Sequence, residues 1–421
     1  MTIDSFADFL EEDFKSMEKK IEIKNIEKSQ IDNNLEVIYK IAIKGKEYDL
    51  TYKISGGIET VPLLCDAVVV GFLVYAVRFG LSFYSEYPIS EKLYYNLTKH
   101  AIPQMSVANK TENDMIRLDM PITKEVYHGN WVGTGISLGV DSFTTIHEYV
   151  EDCDIDEYKL THLVHLKTGA HHGQLGYYDQ QKEDELFSIE NTKVRRFCEE
   201  RGYKLIVIES NLYEITCKEF GYGFSTTHTF RNLGCILLLQ NLFSKYYYAS
   251  AYNLDKFVLN LGLDTASYEK WAMPYISNDS LEFYSANTNM TRIQKTMYIS
   301  KFADTYDNLH VCWHEKENCG QCKKCIRTLV TLDILGVLDK YSNSFNLEQY
   351  YKNRSAYISE VILMRNIDSS YMEIYKYMLE CKFKMPSLLN KTKTAFKIAR
   401  LKIKKLGFIN IFKFVSKKLM K

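Results

Sequence analysis

The sequence predicts an α/β protein: a parallel-sheet core with a small α+β N-terminal region and a helical C-terminal region. Three observations predict it. From residue 131, apolar strand-like runs alternate with helical runs, the pattern of strands covered by helices on both faces. Residues 1–60 show alternating apolar and polar side chains interrupted at Gly45. After residue 326, apolar residues recur at helical spacing. A chain of 421 residues has room for two or three domains. The expected divisions are 1–130, 131–338 and 339–421.

Each element follows from its own residues. "LEVIYKIAIKG" and "KEYDLTYKIS" read as a hairpin about Gly45. A helix is expected through 62–79, and a second in "YPISEKLYYNLTKHAIPQ" with Ser90 as its cap. Residues 104–130 read as mixed and strand-rich. "NWVGTGIS", "LTHLVHLKTG" and "YKLIVIESNL" are strands, separated by helices in "DSFTTIHEYVED" and "ENTKVRRFCEERG", the latter closed by Gly202. "TFRNLGCILLLQNLFSKY" reads as one long apolar helix.

Composition narrows the class. Apolar residues make up 46% and charged residues 25%, enough for an ordinary globular core. The 32 Tyr and 22 Phe are read as packing and surface residues. The start "MTIDSFADFLEEDF" is acidic and lacks the basic-then-apolar order of a secretory leader. The most apolar stretch, 61–80, is broken by Asp66 and Arg78 and reads as a buried helix. A cytoplasmic location is expected. The formal charge is zero, yet residues 391–421 hold ten Lys, one Arg and no acid. Such a basic tail points to an anionic membrane, a nucleic acid, or an acidic surface of a partner or of the chain itself.

Two motifs carry chemistry. The first, "GISLGVDSFTT" at 135–145, stands where a strand ends and a helix begins. Helix N-termini offer unpaired N–H groups and partial positive charge, and a Gly-containing turn lets them approach a phosphate. The hydroxyls of Ser137 and Ser142 can donate to phosphate oxygens, and Asp141 suits Mg²⁺, a hard ion. A capped turn without a ligand would favour the same residue types. The Gly-Lys-Ser/Thr of a Walker loop is missing.

The second motif is "CWHEKENCGQCKKCIRT" at 312–328. Cys312, Cys319, Cys322 and Cys325 fall within 14 residues, spacing that favours a tetrahedral Zn²⁺ site with a closed shell. An Fe–S centre or sulfur-carrying thiols are the alternatives. His314, between two of the cysteines, is read as a bystander.

Together the motifs carry a family resemblance. Ser-Leu-Gly-Val-Asp-Ser resembles the Ser-Gly-Gly-x-Asp-Ser loop of the ATP pyrophosphatases, the PP-loop or adenine nucleotide α-hydrolase-like proteins, with Leu138 where Gly is usual. With "CGQCKKCIR" downstream, the chain is similar to the 7-cyano-7-deazaguanine synthase family. "NMTRIQK", 289–295, resembles that family's Thr-Lys helix start, with Arg292 in place of Lys. The resemblance covers about 131–335. It implies a HUP-type (PP-loop) core, ATP and Mg²⁺ as cofactors and a structural Zn²⁺. It implies cleavage of ATP between the α- and β-phosphates, with a carboxylate or amide-type oxygen adenylated. A nitrogen or sulfur nucleophile would then give an amide, nitrile or thioamide.

By the same resemblance, Ser137, Leu138, Gly139, Val140, Asp141 and Ser142 hold pyrophosphate. Val164, His165 and Leu166 lie where adenine meets the strand end. Lys167, Arg231 and Arg292 are the basic candidates at the triphosphate, and Asp141, Lys167 and Arg292 the catalytic ones. His171 and His172 lie in a loop that would cover the site. The expected partner is a small-molecule or carrier-bound acid, with a homo-oligomer possible. If sulfur is transferred, Cys198, Cys217 and Cys235 are further candidates. A tRNA-modifying PP-loop enzyme and a catalytically inactive nucleotide-binding regulatory subunit are the other readings.

Overall fold

In the computed structural model, residues 19–170, 179–221, 223–313 and 315–384 are described. The acidic start, His171, His172, His314 and the basic tail lie outside them. The chain divides into two compact units, Met1–Thr291 and Arg292–Lys421. The boundary between these two compact units falls at 291/292.

The first unit opens with a meander of three antiparallel strands, β1 (Lys20–Ile31), β2 (Asn34–Ile43) and β3 (Lys46–Ser55). Both turns are two residues long, Asp32-Asn33 and Lys44-Gly45, all with positive φ, the geometry that matches the twist of the strands they join. Helix α1 (Asp66–Phe79) follows, then β4 (Ser82–Ser85), β5 (Ile89–Ser90), α2 (Glu91–Asn96) and α3 (Ile102–Asn109). A π-turn, Leu97–Ala101, joins α2 to α3. β6 (Leu118–Asp119) and β7 (Ile122–Thr123) are two-residue strands. The region 104–130 is thus less strand-rich than expected.

The α/β segment comprises β8 (Trp131–Gly135), α4 (Val140–Val150), β9 (His162–Lys167), α5 (Gln180–Arg201), β10 (Lys204–Ser210), α6 (Leu212–Phe220), α7 (His228–Leu237), β11 (Phe243–Ala249), α8 (Glu269–Ile276) and β12 (Glu282–Ala286). Its strands do not form a sheet of their own. One ten-stranded sheet runs β12-β11-β8-β9-β10-β3-β2-β1-β4-β6. The first five are mutually parallel, and β3 joins β10 antiparallel. In chain order the five parallel strands lie 5-4-1-2-3. The order reverses between β8 and β11, and such a switch opens a crevice at the carboxyl ends of those two strands.

The long helix expected over 229–246 is divided. α7 ends at Leu237, and the aromatic run "FSKYYYA" becomes β11, paired on one side with β8 and on the other with β12. Bulky aromatic residues suit a central strand, where both faces are covered.

One close approach fixes α7 over the sheet. A Cβ built on Gly234 would stand 2.7 Å from the Ala67 carbonyl oxygen and 3.0 Å from the Gly71 nitrogen, both on α1. Only a residue without a side chain permits that crossing. The apolar faces of α1 and α7 then close over the sheet in one core, with Val68, Phe72, Tyr75, Phe230, Leu233 and Leu237 all buried. A second tie is buried and polar. The Asp66 carboxylate accepts from the Ser90 N–H (2.9 Å), the Ser90 hydroxyl, Asn278 Nδ2 (3.1 Å) and Gln240 Nε2 (3.3 Å).

The second unit is helical: α9 (Arg292–Ile299), α10 (Asp304–Asn308), α11 (Lys323–Ile334), α12 (Leu347–Met364) and α13 (Ser369–Glu380). Asp333 of α11 accepts from Arg354 Nε (2.7 Å) and the Tyr350 hydroxyl (2.6 Å) of α12. No helix among the described residues is long and apolar enough to cross a membrane.

The Gly234→Ala variant tests the crossing. An exposed Gly→Ala change in a helix gains about 1 kcal/mol from propensity. Here the forced separation of α1 and α7 outweighs that gain, and a net loss of about 1–3 kcal/mol is expected by chemical denaturation.

Candidate functional site

The loop after β8 is built from its neighbours outward. The Ile136 N–H donates to the Val164 carbonyl (2.9 Å), continuing the β8–β9 ladder one residue past the strand. The buried His165 side chain returns to the same residue, its Nδ1 lying 3.0 Å from the Ile136 carbonyl oxygen, and its ring stacks on Phe187 at 4.8 Å. His165 therefore pins the base of the loop to β9.

Leu138 makes the turn. Its φ is +52°, the left-handed region that side-chain-bearing residues rarely adopt, and it is only 1% exposed. The position where the resembled loop has Gly thus has the backbone conformation that favours Gly. Burial of the side chain offsets the strain. Far from standing on the outer surface, Leu138 is buried as a whole residue between the exposed Ser137 and the half-buried Gly139.

Gly139 caps α4. The Ser142 hydroxyl accepts from the Gly139 N–H (3.1 Å) and donates to the Gly139 carbonyl (3.0 Å), closing the turn on itself. Ser142 is buried, whereas Ser137 is exposed and Gly139 and Asp141 are half-buried. Ser142 thus shapes the loop, and Ser137 and Asp141 lie nearer its outer surface. The first regular bond of α4 runs from the Phe143 N–H to the Gly139 carbonyl (3.0 Å). The preceding N–H groups have no acceptor within the helix and lie at its positive end. Val140 is buried and anchors the first turn.

The basic candidates are placed differently. Lys167, at the end of β9, pairs with Asp184 (2.7 Å) and Glu209 (3.2 Å). Burial opposes its charge, but the two carboxylates hold its ammonium above the usual range. Arg231 is fully buried. Its guanidinium donates to the Thr168 carbonyl, to Thr227 Oγ1 (3.0 Å) and to the Phe224 carbonyl (3.3 Å), and lies 4.4 Å from the Tyr213 ring centre. Burial lowers its pKa. It ties α7 to the end of β9 and is not a surface charge. Arg292 belongs to the second compact unit, at the start of α9.

Polar residues that the sequence did not single out are joined near the carboxyl ends of β9 and β11. Thr168 Oγ1 donates to Asn232 Oδ1 (2.7 Å). His228 lies 2.9 Å from both the Tyr248 hydroxyl and Asp264 Oδ1. They come from β9, α7, β11 and a later turn, so no local spacing announces them.

The cysteine cluster is a separate centre in the second unit. The four sulfur atoms of Cys312, Cys319, Cys322 and Cys325 lie within 4.8 Å of one another, with Cys319 and Cys325 3.9 Å apart. Sulfurs about 2.3 Å from a tetrahedral zinc lie about 3.8 Å apart. The set can hold a metal ion such as zinc. Gly320, with φ +68°, makes the tight turn between ligands. The Cys322 N–H donates to Cys319 Sγ (3.3 Å), and the Cys325 N–H to Cys322 Sγ (3.5 Å). Asn318 accepts from the Val311 N–H (2.8 Å) and donates to the Leu309 carbonyl (2.8 Å), fixing the segment that carries Cys312. The crowded thiols hold one another's protons. The Cys312 thiol pushes Cys322 up to about 11, and Cys325 is raised further by Cys312 and Cys322. A cation among them would reverse that balance.

The scattered cysteines differ. Cys198, Cys217 and Cys235 are buried, and burial raises Cys198 and Cys235 to about 12, the opposite of what a sulfur carrier needs. A comparison with protein-family models, with curated proteins and with solved structures finds no match.

Two outcomes follow from this geometry. Leu138→Ala should cost about 2–5 kcal/mol by denaturation, and Leu138→Gly about 1 kcal/mol less than Ala, inverting the usual Ala-over-Gly order because only Gly relieves the left-handed strain. The purified chain should carry one zinc, lost in Cys322→Ser. Because thiols must shed protons to bind metal, zinc retention should fall as pH falls, followed with a zinc-indicator dye.

Proposed function

We propose that the chain is an ATP-dependent adenylating enzyme of the PP-loop type, with a HUP-like core. The observation that carries the reading is the loop Ser137–Ser142. It turns through a left-handed residue into a helix N-terminus, at the carboxyl end of β8, beside the switch between β8 and β11. That position is where open α/β sheets bind nucleotides. The strand order 5-4-1-2-3 supports the same reading.

The residues fit a pyrophosphate and a hard cation. Backbone N–H groups of the first turn of α4 and the Ser137 hydroxyl would bind phosphate oxygens, and Asp141 would hold Mg²⁺. Mg²⁺ supplies charge neutralisation of the leaving pyrophosphate. Ser142 keeps the turn closed, and the buried Leu138 anchors it. Arg231 and His165 hold the ends of β9 and β8 at fixed height, so the loop is preorganised. An oxygen of a carboxylate or amide-type acid attacks the α-phosphorus, and pyrophosphate leaves. A nitrogen nucleophile displaces AMP from an activated carboxylate to give an amide; on an activated amide, a sulfur nucleophile displaces AMP to give a thioamide, or loss of AMP and a proton gives a nitrile. Zinc at the four cysteines would be structural, since a filled four-sulfur shell has no open position.

Alanine at Asp141 tests the reading. Pyrophosphate release from ATP and Mg²⁺, followed by a coupled phosphate assay across a panel of carboxylic acids, should fall about 10²-fold or more, since the anchor for the metal is lost. An equal rate in the variant and the unsubstituted chain overturns the assignment.

A further inference from the structure

The polar chain near the carboxyl ends of β9 and β11 continues across the sheet. Strand β11 pairs with β8 so that Tyr247 stands opposite Thr134, which sets Tyr248 level with Gly135, two residues before Ser137. The phenol oxygen of Tyr248 lies 2.9 Å from His228 Nδ1. The same ring's Nε2 lies 2.9 Å from Asp264 Oδ1. A carboxylate only accepts, so Nε2 carries the proton and Nδ1 is left to accept from the Tyr248 hydroxyl. The ring is held flat against Phe224, at 5.1 Å and 9°. The His228 side chain is 13% exposed and Asp264 36%, so the chain runs from an inner phenol to an outer carboxylate.

Its neighbours place it in the crevice. Asn232, one turn along α7 from His228, bonds to Thr168 just past β9. Strands β9 and β11 flank β8. The first turns of α7 therefore carry polar groups to both sides of the strand that feeds the phosphate loop. Thr229 and Asn232 approach the Tyr248 phenol, and burial together with the charge of Glu269 raises its pKa. The phenol is thus suited to pass a proton on and not to stand as a phenolate.

We propose that Tyr248, His228 and Asp264 form the proton relay of the second half-reaction, in which a nitrogen nucleophile displaces AMP. The inference rests on the adenylation reading. The nitrogen lone pair forms the bond to the acyl carbon. The bond from that carbon to the phosphate oxygen breaks, and its electron pair leaves with AMP. One N–H proton passes to the Tyr248 oxygen as the phenol proton passes to His228 Nδ1. The Asp264 carboxylate stabilises the imidazolium and orients the ring, making Asp264 a positioning residue. An amine and an acyl adenylate thus give an amide, AMP and one proton, which returns to water at the exposed end of the relay.

The test uses the full chain with ATP, Mg²⁺ and a panel of small aliphatic and aromatic carboxylic acids, with ammonium or hydroxylamine as acceptor and AMP as the readout. Hydroxylamine is unprotonated at pH 7, and because it is a weak base the cationic nitrogen of its adduct is acidic enough to lose its proton to water, so its reaction depends little on a protein base. His228→Gln and Tyr248→Phe should lose ammonium-dependent AMP formation by about 10²–10⁴-fold and keep the hydroxylamine-dependent rate. Asp264→Asn should show a smaller loss with the same selectivity. Tyr248→Phe keeps the ring and its packing, so it stands as the measurement should His228→Gln melt early. Both rates unchanged, or both falling together in Tyr248→Phe at an unaltered melting temperature, overturns the relay alone. An unsubstituted chain that forms no AMP with any acid overturns the adenylation reading beneath it.

Discussion

The crossing of α1 over α7 at Gly234 is the constraint on which the first unit depends. It brings a helix from the meander side of the chain against a helix from the α/β side, with a backbone carbonyl where a methyl group would have to go. Because α7 cannot rise, Arg231 reaches the end of β9 and Asn232 reaches Thr168. Because it cannot slide, His228 stays within hydrogen-bonding distance of Tyr248 on β11. The polar architecture at the carboxyl edge is set by apolar packing beneath it. The Asp66 network does the same at another corner, binding Ser90, Gln240 and Asn278 through one buried carboxylate.

The loop after β8 shows how a strained turn is kept. Leu138 in the left-handed region costs of order 1–2 kcal/mol, and fully burying a leucine returns about 1.5–3 kcal/mol. The two effects are comparable, so the turn persists because the side chain has a place in the core. Glycine would adopt the conformation without strain and leave a hole. The departure from the resembled motif is therefore compatible with the backbone path, since the added side chain is buried and not exposed.

Much of this was legible in the residues, and the reasons for the rest are physical. The β2–β3 hairpin, α1 and the alternation from β8 to β10 were visible because each is a local pattern of apolar periodicity and turn residues. The cysteine cluster was visible because all four ligands lie in one short segment, and the structure brings their sulfurs together. The end of α7 was not, because the apolar residues of "CILLLQNLF" run on from the helix to the first residue of β11, and over so short a run periodicity cannot separate a buried helix from a buried strand. Arg231 was noticed as a cation, but its burial depends on Tyr213, Phe224 and Thr168, which arrive from elsewhere in the chain. His228, Tyr248 and Asp264 are separated by 20 and 36 positions and carry no motif.

The antiparallel junction of β3 with β10 has a consequence for how the sheet can grow. In a doubly wound sheet that ended at β10, the outer ladder of that strand would present a row of unpaired amides and carbonyls, an invitation to a foreign strand. Here the chain's own meander occupies it, and the far margin beyond the meander tapers to β6, two residues long. Strand addition from another molecule is blocked along Val207–Ser210, where β3 pairs with β10. Recruitment of partners by β-augmentation is closed off along that flank.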